Sequence, residues 1–459
     1  MFSAKTYIER RRRLQADVAS GILLFLGNDD CGMNYADNTY HFRQDSTFLY
    51  FFGSDYAGLS AIIDIDNDRE IIFGDELTID HIVWMGTQPT IREKSLQIGV
   101  NLTMPLSSLK TYIDEAIRKG RKVHFLPPYR PEHQVKLFEL TGVNPAEQAS
   151  LASLDFIKAV VNQRNYKSDE EIVQIEDAVN ISAEMHLHAM QMARPGMKEA
   201  DIAAAVTSIA LAREGNLSFP VIATINGQTL HNHYHGNILK DGDMLLLDAG
   251  AENRMHYAGD LSSTIPVSKR FSDRQRSIYQ IALNAHQSAV AALRPGVAFR
   301  DIHLLAVKAI VDGMKELGLM KGDATEAVNA GAHALFFQCG LGHMMGLDVH
   351  DMENLGEVWV GYNGEPKSTQ FGLKSLRLAR KLEPGFVLTI EPGVYFIPEL
   401  IDMWKAEKRF EQFINYSEVE KYRDFGGLRN EEDFLITADG ARRLGKHVPI
   451  TIEDVEAMR

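Results

Sequence analysis

Arg194-Pro195-Gly196, with Asp201-Ile202 five residues further on, returns one hundred residues later as Arg294-Pro295-Gly296 with Asp301-Ile302 at the same offset. An Ala-Val pair follows each copy, at Ala205-Val206 and Ala306-Val307, the second slipped by one residue. Before each copy stands a Ser-Asp pair, Ser168-Asp169 and Ser272-Asp273. Ser168 with Glu171 three residues on is a capping-box pattern, and Ile172, Ile175 and Val179 then fall on one helical face. Such a helix should stop at Pro-Gly. Two unrelated helices sharing a common stop signal would account for Pro-Gly alone, but the shared offset to Asp-Ile favours a duplicated α/β half. Duplication implies pseudo-twofold symmetry, with a site between the halves.

Five residues of metal-ligand type accompany the duplicated segments. Asp248 ends the apolar run Met244-Leu-Leu-Leu247, and Asp260 follows twelve residues later in Ala258-Gly-Asp260. His343 closes Gly340-Leu-Gly-His343, Glu391 follows Val387-Leu-Thr-Ile390 and precedes Pro392-Gly393, and Glu431 lies in Gly426-Gly-Leu-Arg429-Asn-Glu431. Singly, each reads as a turn residue or a strand end meeting solvent; the ordered set carries more. Four carboxylates and one imidazole make a hard, oxygen-rich site suited to Mn²⁺, with Co²⁺ and Zn²⁺ as alternatives, rather than to copper or an iron–sulfur cluster. Five ligands with one nitrogen are too many for a single tetrahedral zinc. Bridging carboxylates can hold two divalent ions that share a water and bring its pKa near neutrality.

The series Asp248, Asp260, His343, Glu391, Glu431 resembles the ligand series of the pita-bread metallopeptidases. Phe42-Arg-Gln-Asp-Ser46 and Phe48-Leu-Tyr-Phe-Phe-Gly53 place the likeness nearest to prolidase and aminopeptidase P, which carry a non-catalytic domain ahead of the peptidase half. Methionine aminopeptidases lack that domain. The resemblance implies a pseudo-twofold catalytic domain at residues 166–459 behind an α/β domain at residues 1–165. It also implies that Asp248 binds one metal, that His343 and Glu391 bind the other, and that Asp260 and Glu431 bridge. Glu391 would accept the proton of the attacking water.

Other residues take roles from the same resemblance. His350, seven residues after His343, matches a substrate-contacting histidine. Arg429 matches the arginine of Gly-x-Arg-x-Glu and is expected to bind substrate, a structural ion pair beside the metal carboxylates being the alternative. Arg377 stands where prolidase holds the substrate carboxylate; a solvent-facing charge is the alternative, with Arg380 and Lys381 beside it. For a second histidine, the pattern Asn226 to His231 selects His231, while His233-Tyr-His-Gly-Asn237 keeps His233 as a rival. Two departures stand out. Cys339 occupies the position, four residues before His343, where the family carries histidine, and a thiol is a weak donor without an imidazolium's charge. After Asp260 the chain reads Leu-Ser262-Ser-Thr-Ile, lacking the family's Arg and Phe.

The expected activity is hydrolysis of the bond between an N-terminal residue and proline in dipeptides or short peptides. The long stretch from His350 to Glu391 and the insertion after Tyr395-Phe-Ile397 favour a prolidase-type dipeptidase. Aminopeptidase P acting on longer peptides is the alternative, and a non-catalytic binding scaffold is a third reading that the intact ligand set disfavours. A net charge of −14 leaves no basic surplus for phosphates, which excludes a nucleic-acid binder. No apolar run reaches membrane-spanning or signal-peptide length. Two cysteines far apart, Cys31 and Cys339, suit a reducing compartment, so the cytoplasm is expected; a homodimer is a separate expectation. In the first third, Ile22–Leu26, Leu59–Ile65, Glu70–Phe73 and Lys122–Leu126 read as strands, and Lys5–Val18 and Thr111–Lys119 as helices.

Overall fold

A computed structural model describes residues 1–459. The chain forms two compact units, Met1–Arg164 with Met352–Trp359, and Asn165–Asp351 with Val360–Arg459. No helix is long and apolar enough to cross a membrane.

The first unit is built on a five-stranded sheet ordered Leu102–Met104, Arg69–Phe73, Ser60–Asp64, Ile22–Leu26, Val123–His124. Its alternating side chains bury both faces. Ile22, Leu24, Ile62, Ile71 and Phe73 pack on Leu109 and Ile113 of one helix and Leu137 and Leu140 of another. Phe25 points the other way and meets Phe52 and Phe156 edge-on, each at 5.1 Å. Phe48 to Gly53 therefore serves as core: it lies in the fully buried helix Ser46–Phe52, capped by Asp45 and ended by Gly53 at φ 60°. The strand expected over Lys122–Leu126 shrinks to Val123–His124. The carbonyl of Phe125 instead accepts from Ser153 N, and Pro127 and Pro128 supply no donors to extend a ladder.

The second unit contains the duplication. Helices Asp169–Met192 and Asp273–Ala292 both open with capping boxes, from Ser168 with Glu171 and from Ser272 with Gln275. Each ends before its Arg-Pro-Gly turn, and the turns are hydrogen-bonded alike. Gly196 N donates to Leu239 O and Gly296 N to Leu382 O, each at 2.8 Å. Lys198 then pairs with Ile238 as Ala298 pairs with Lys381, antiparallel in both cases. The partner helices Glu199–Ala212 and Phe299–Glu316 follow.

Each helix pair leads to antiparallel strands. In the first half, Met244–Asp248 lies between Ile222–Thr224 and Ser262–Pro266. In the second, Val387–Ile390 pairs with Glu432–Ile436 and, through Met344, with the segment that carries His343. The halves meet where Ser262 pairs with Glu431. There Thr264 Oγ1 donates to Arg429 O at 2.9 Å and accepts from Arg429 N at 3.1 Å.

Gly342 sets the spacing beside His343. Leu341 O accepts from Glu391 N, and His343 O accepts from Thr389 N, so the two segments run in close contact. A Cβ on Gly342 would sit 2.0 Å from Thr389 O, and backbone cannot step aside as a side chain can. Gly342→Ala should therefore lower stability by about 1–3 kcal/mol in denaturant titrations; an unchanged midpoint would show that the strands can separate freely.

Candidate metal centre

Chain direction explains the position of each acidic side chain. Met244 to Asp248 and Val387 to Ile390 are wholly buried strands, so a carboxylate can follow only where the strand leaves the core. Asp248 is the last residue of the first strand and Glu391 the first after the second. Asp260 and Glu431 stand just ahead of the strands Ser262–Pro266 and Glu432–Ile436, on either side of the seam between halves.

Together with His343 these carboxylates line one cavity of about 200 Å³. Ligand atoms of Asp260, His343 and Glu431 lie within 4.8 Å of one another. His343 Nε2 is 3.4 Å from Asp260 Oδ2 and 3.6 Å from Glu391 Oε1. Its Nδ1 donates to Met344 O at 3.1 Å, which leaves Nε2 facing the carboxylates as the nitrogen a metal would take in place of a proton.

Charge dominates the cavity. Burial first, and then neighbouring Asp260, Glu391 and Asp248, raise the Glu431 carboxyl well above its usual range. Burial likewise pushes Glu391 up to about 7, with His343 and Arg429 opposing and Asp260 and Asp248 adding to the rise. Asp260 Oδ1 and Glu431 Oε1 are buried and have no hydrogen-bond partner. Their companions are engaged: Ser262 Oγ donates to Glu431 Oε2 at 2.8 Å. Unpartnered carboxylate oxygens beside a lone-pair nitrogen are the donor set a divalent cation completes. The residues present fit metal.

Arg429 is the cationic strut of the cavity. Its guanidinium donates to Asp248 Oδ2, to Ser262 Oγ at 2.9 Å and to Tyr395 OH at 2.8 Å. Burial opposes its charge, and Tyr395, Asp248, Glu391 and Glu431 outweigh that. His231, His233, His350, Arg377 and Cys339 line the same cavity. The His350 ring meets His343 at 4.2 Å between centroids, tilted 64°. Partial burial, and then the charge of Arg429, keep His231 below its usual range. Burial and the nearby Glu391 push the Cys339 thiol up to about 12, so it is a neutral wall residue.

Several cavity residues escape sequence reasoning. Phe219, Pro220, Ile222, Leu230 and Val349 form an apolar wall, and in sequence they look like any loop or core hydrophobe. Tyr395 reaches Arg429 because Gly393–Tyr395 pairs with Gly427–Arg429, a contact no local pattern announces. Asp433 was open to detection. It lies two residues after Glu431, hence on the same strand face, and its fully buried Oδ2 accepts from Asp260 N at 3.1 Å.

The raised carboxyls have a thermodynamic sign. Glu391 binds its proton more tightly folded, near 7, than at its ordinary 4.5. In metal-free protein that proton contributes stability below about 4.5, and the contribution is lost as pH rises through about 7. Chelated wild type should thus lose thermal stability relative to chelated Glu391→Gln between pH 5 and about 8. Parallel melting curves across that window would contradict the burial of this charge.

Two family models match the chain: "Metallopeptidase family M24" over residues 173–438 and "Aminopeptidase P, N-terminal domain" over residues 7–124. Human Xaa-Pro dipeptidase is 31% identical, the match covering 98% of this chain and 90% of the relative. A probable Xaa-Pro aminopeptidase of Uncinocarpus reesii is 30% identical over 95% of this chain and 89% of its own. The structure of Pseudomonas aeruginosa aminopeptidase PepP superposes with a TM-score of 0.82 at 26% identity, covering 100% of this chain and 98% of that one. Zinc-substituted Escherichia coli aminopeptidase P in complex with product gives 0.80 at 27%, with the same coverage. The chain belongs to metallopeptidase family M24, with an aminopeptidase P-type domain at its N-terminal end.

Proposed function

We propose that the chain hydrolyses the bond between an N-terminal residue and proline, with Xaa-Pro dipeptides as its preferred substrates. Arg377 carries this reading: a guanidinium lines the same small cavity as the metal-type cluster. A volume of about 200 Å³ lies below the roughly 300–1,000 Å³ of drug-sized ligand clefts, as suits a dipeptide. The Xaa-Pro aminopeptidase alternative has the support of the aminopeptidase P structures that superpose on this fold.

Two divalent ions, Mn²⁺ by preference, would be held by Asp248, Asp260, His343, Glu391 and Glu431, with Asp260 and Glu431 shared. When bound they supply Lewis-acid chemistry, polarising the scissile carbonyl and acidifying water. The protein's own groups do the rest. Glu391 takes the proton of the attacking water, as a carboxylate beside the reacting centre can. His350 and His231 hold the substrate by hydrogen bonds, and Arg377 pairs with the carboxylate of a C-terminal proline. Arg429 keeps Asp248 aimed through their ion pair. Phe219, Leu230 and Val349 offer the apolar surface a pyrrolidine ring needs. Proline resists general peptidases because its nitrogen carries no hydrogen and its φ is fixed; a site reading a free amine and an imide bond requires neither an amide donor nor an extended backbone.

We place the protein in the cytoplasm, in keeping with two free cysteines. A homodimer would use apolar surface such as Val83, Trp84 and Met85, which are 71%, 84% and 74% exposed on one short helix.

Elemental analysis of metal-reconstituted protein should give two ions per chain. Asp260→Ala or Glu431→Ala should lower that number and abolish turnover, whereas one ion or none in the wild type would end the dinuclear proposal. Arg377→Ala should cost on the order of 2–4 kcal/mol in kcat/KM for an Xaa-Pro dipeptide and far less for an Xaa-Pro-Xaa tripeptide, whose amide replaces the carboxylate. Equal losses on both lengths would transfer the assignment to aminopeptidase P.

A further inference from the structure

We propose that Lys167 is a positioning residue for the peptidase reaction, acting through Asp351 to fix the turn that presents His350 to the cavity. The inference rests on the reading of His350 as a substrate-contacting residue.

The backbone from His343 onward shows why such a device is needed. Met345 N donates to Val387 O at 3.0 Å, so the chain is held by the neighbouring strand up to that point. Beyond it the chain doubles back, with Gly346 N donating to Asp348 O at 3.0 Å and Asp351 N to Met344 O at 2.9 Å. His350 sits at the closing end of this turn, its ring against His343. Turns of this kind have few contacts of their own and open readily unless tied down.

The tie lies beneath the turn. Asp351 Oδ2 accepts from Lys167 Nζ at 2.8 Å, and Asp351 Oδ1 accepts from Asp348 N at 3.4 Å. Both ion-pair side chains are 1% exposed. Gly346 leaves room for them: a Cβ there would stand 2.7 Å from Asp351 Oδ2 and 3.0 Å from Lys167 Cε. Lys167 has a rigid base, since its own N donates to Gly385 O at 2.9 Å and the next residue caps a long helix. Gly346 O accepts from Ala258 N at 2.8 Å, which links the turn to the segment carrying Asp260. Neither Lys167 nor Asp351 lines the cavity, so the pair acts on turnover without touching the substrate. A fully buried ion pair contributes little net stability over an apolar pair of the same shape. Its distinguishing property is direction, because the ammonium fixes where the carboxylate, and with it the next residue, must lie.

A double-mutant cycle on the metal-loaded enzyme tests this. Lys167→Met keeps the length of the side chain and removes its charge. With an Xaa-Pro dipeptide it should lower kcat/KM on the order of tenfold to a hundredfold at unchanged metal content. Added to His350→Ala, it should cause far less loss than it does alone, because of the two cavity residues on the turn only Val349 is then left to present. Losses that multiply in the double variant overturn the proposal, as do wild-type kinetics for Lys167→Met. If His350→Ala alone is silent, the role given to His350 falls and this inference falls with it, whereas multiplying losses remove the inference alone. Should Lys167→Met fail to fold, Asp351→Asn, similar in shape and uncharged, takes its place in the same cycle.

Discussion

Four carboxylates crowded together, with the His343 imidazole and the Arg429 guanidinium set among them, is the constraint on which the rest of the second unit depends. Water would screen that charge at little cost, but here the groups are largely out of water. Every supporting contact answers the same problem. Arg429 neutralises Asp248, Ser262 serves both Arg429 and Glu431, Tyr395 steadies the guanidinium, and Asp433 takes the amide of Asp260. What remains unanswered, Asp260 Oδ1 and Glu431 Oε1, marks the place for cations. The architecture can be understood as scaffolding for a deliberately unbalanced charge.

The duplication supplies that scaffolding economically. Equivalent strands from two similar halves end in equivalent acids, Asp248 in one and Glu391 in the other, so a site with matched ligands arises where the halves face each other. The seam at Ser262 and Glu431 is held by one backbone bridge, the Thr264–Arg429 contacts and the side-chain bonds of Ser262, Arg429 and Asp433, and it sets the distance between the two ligand groups. Small residues keep that distance short, as Gly342 does against Thr389.

Much of this was legible in the residues. Apolar runs of strand length ending in an acid, Met244 to Asp248 and Val387 to Glu391, announce a carboxylate at the rim of a core because a charge cannot continue the run. The repeated Arg-Pro-Gly and Ser-Asp signals announce helix ends and beginnings because caps obey local rules. Illegible were contacts made over long separations by residues with ordinary alternatives. Arg429 and Asp248 are 181 residues apart, and nothing local tells Arg429 to choose that carboxylate. Phe219, Leu230 and Val349 were invisible for the opposite reason: apolar side chains are common everywhere, and only a cavity makes three of them a wall. The N-terminal Phe48 to Gly53 motif proved to be packing, since its aromatic side chains are spent on the first unit's core.

The unpartnered oxygens at the seam carry a consequence for the protein's life in a cell. Whatever binds the folded chain and not the unfolded one raises its stability with the logarithm of its concentration. A chain whose buried carboxylates are quieted by cations, and before the ions arrive only by protons, is therefore more vulnerable just after synthesis. Newly made copies starved of metal would spend more time open and be cleared by proteolysis sooner than loaded ones. Supply of the ion would then set the amount of enzyme as well as its activity.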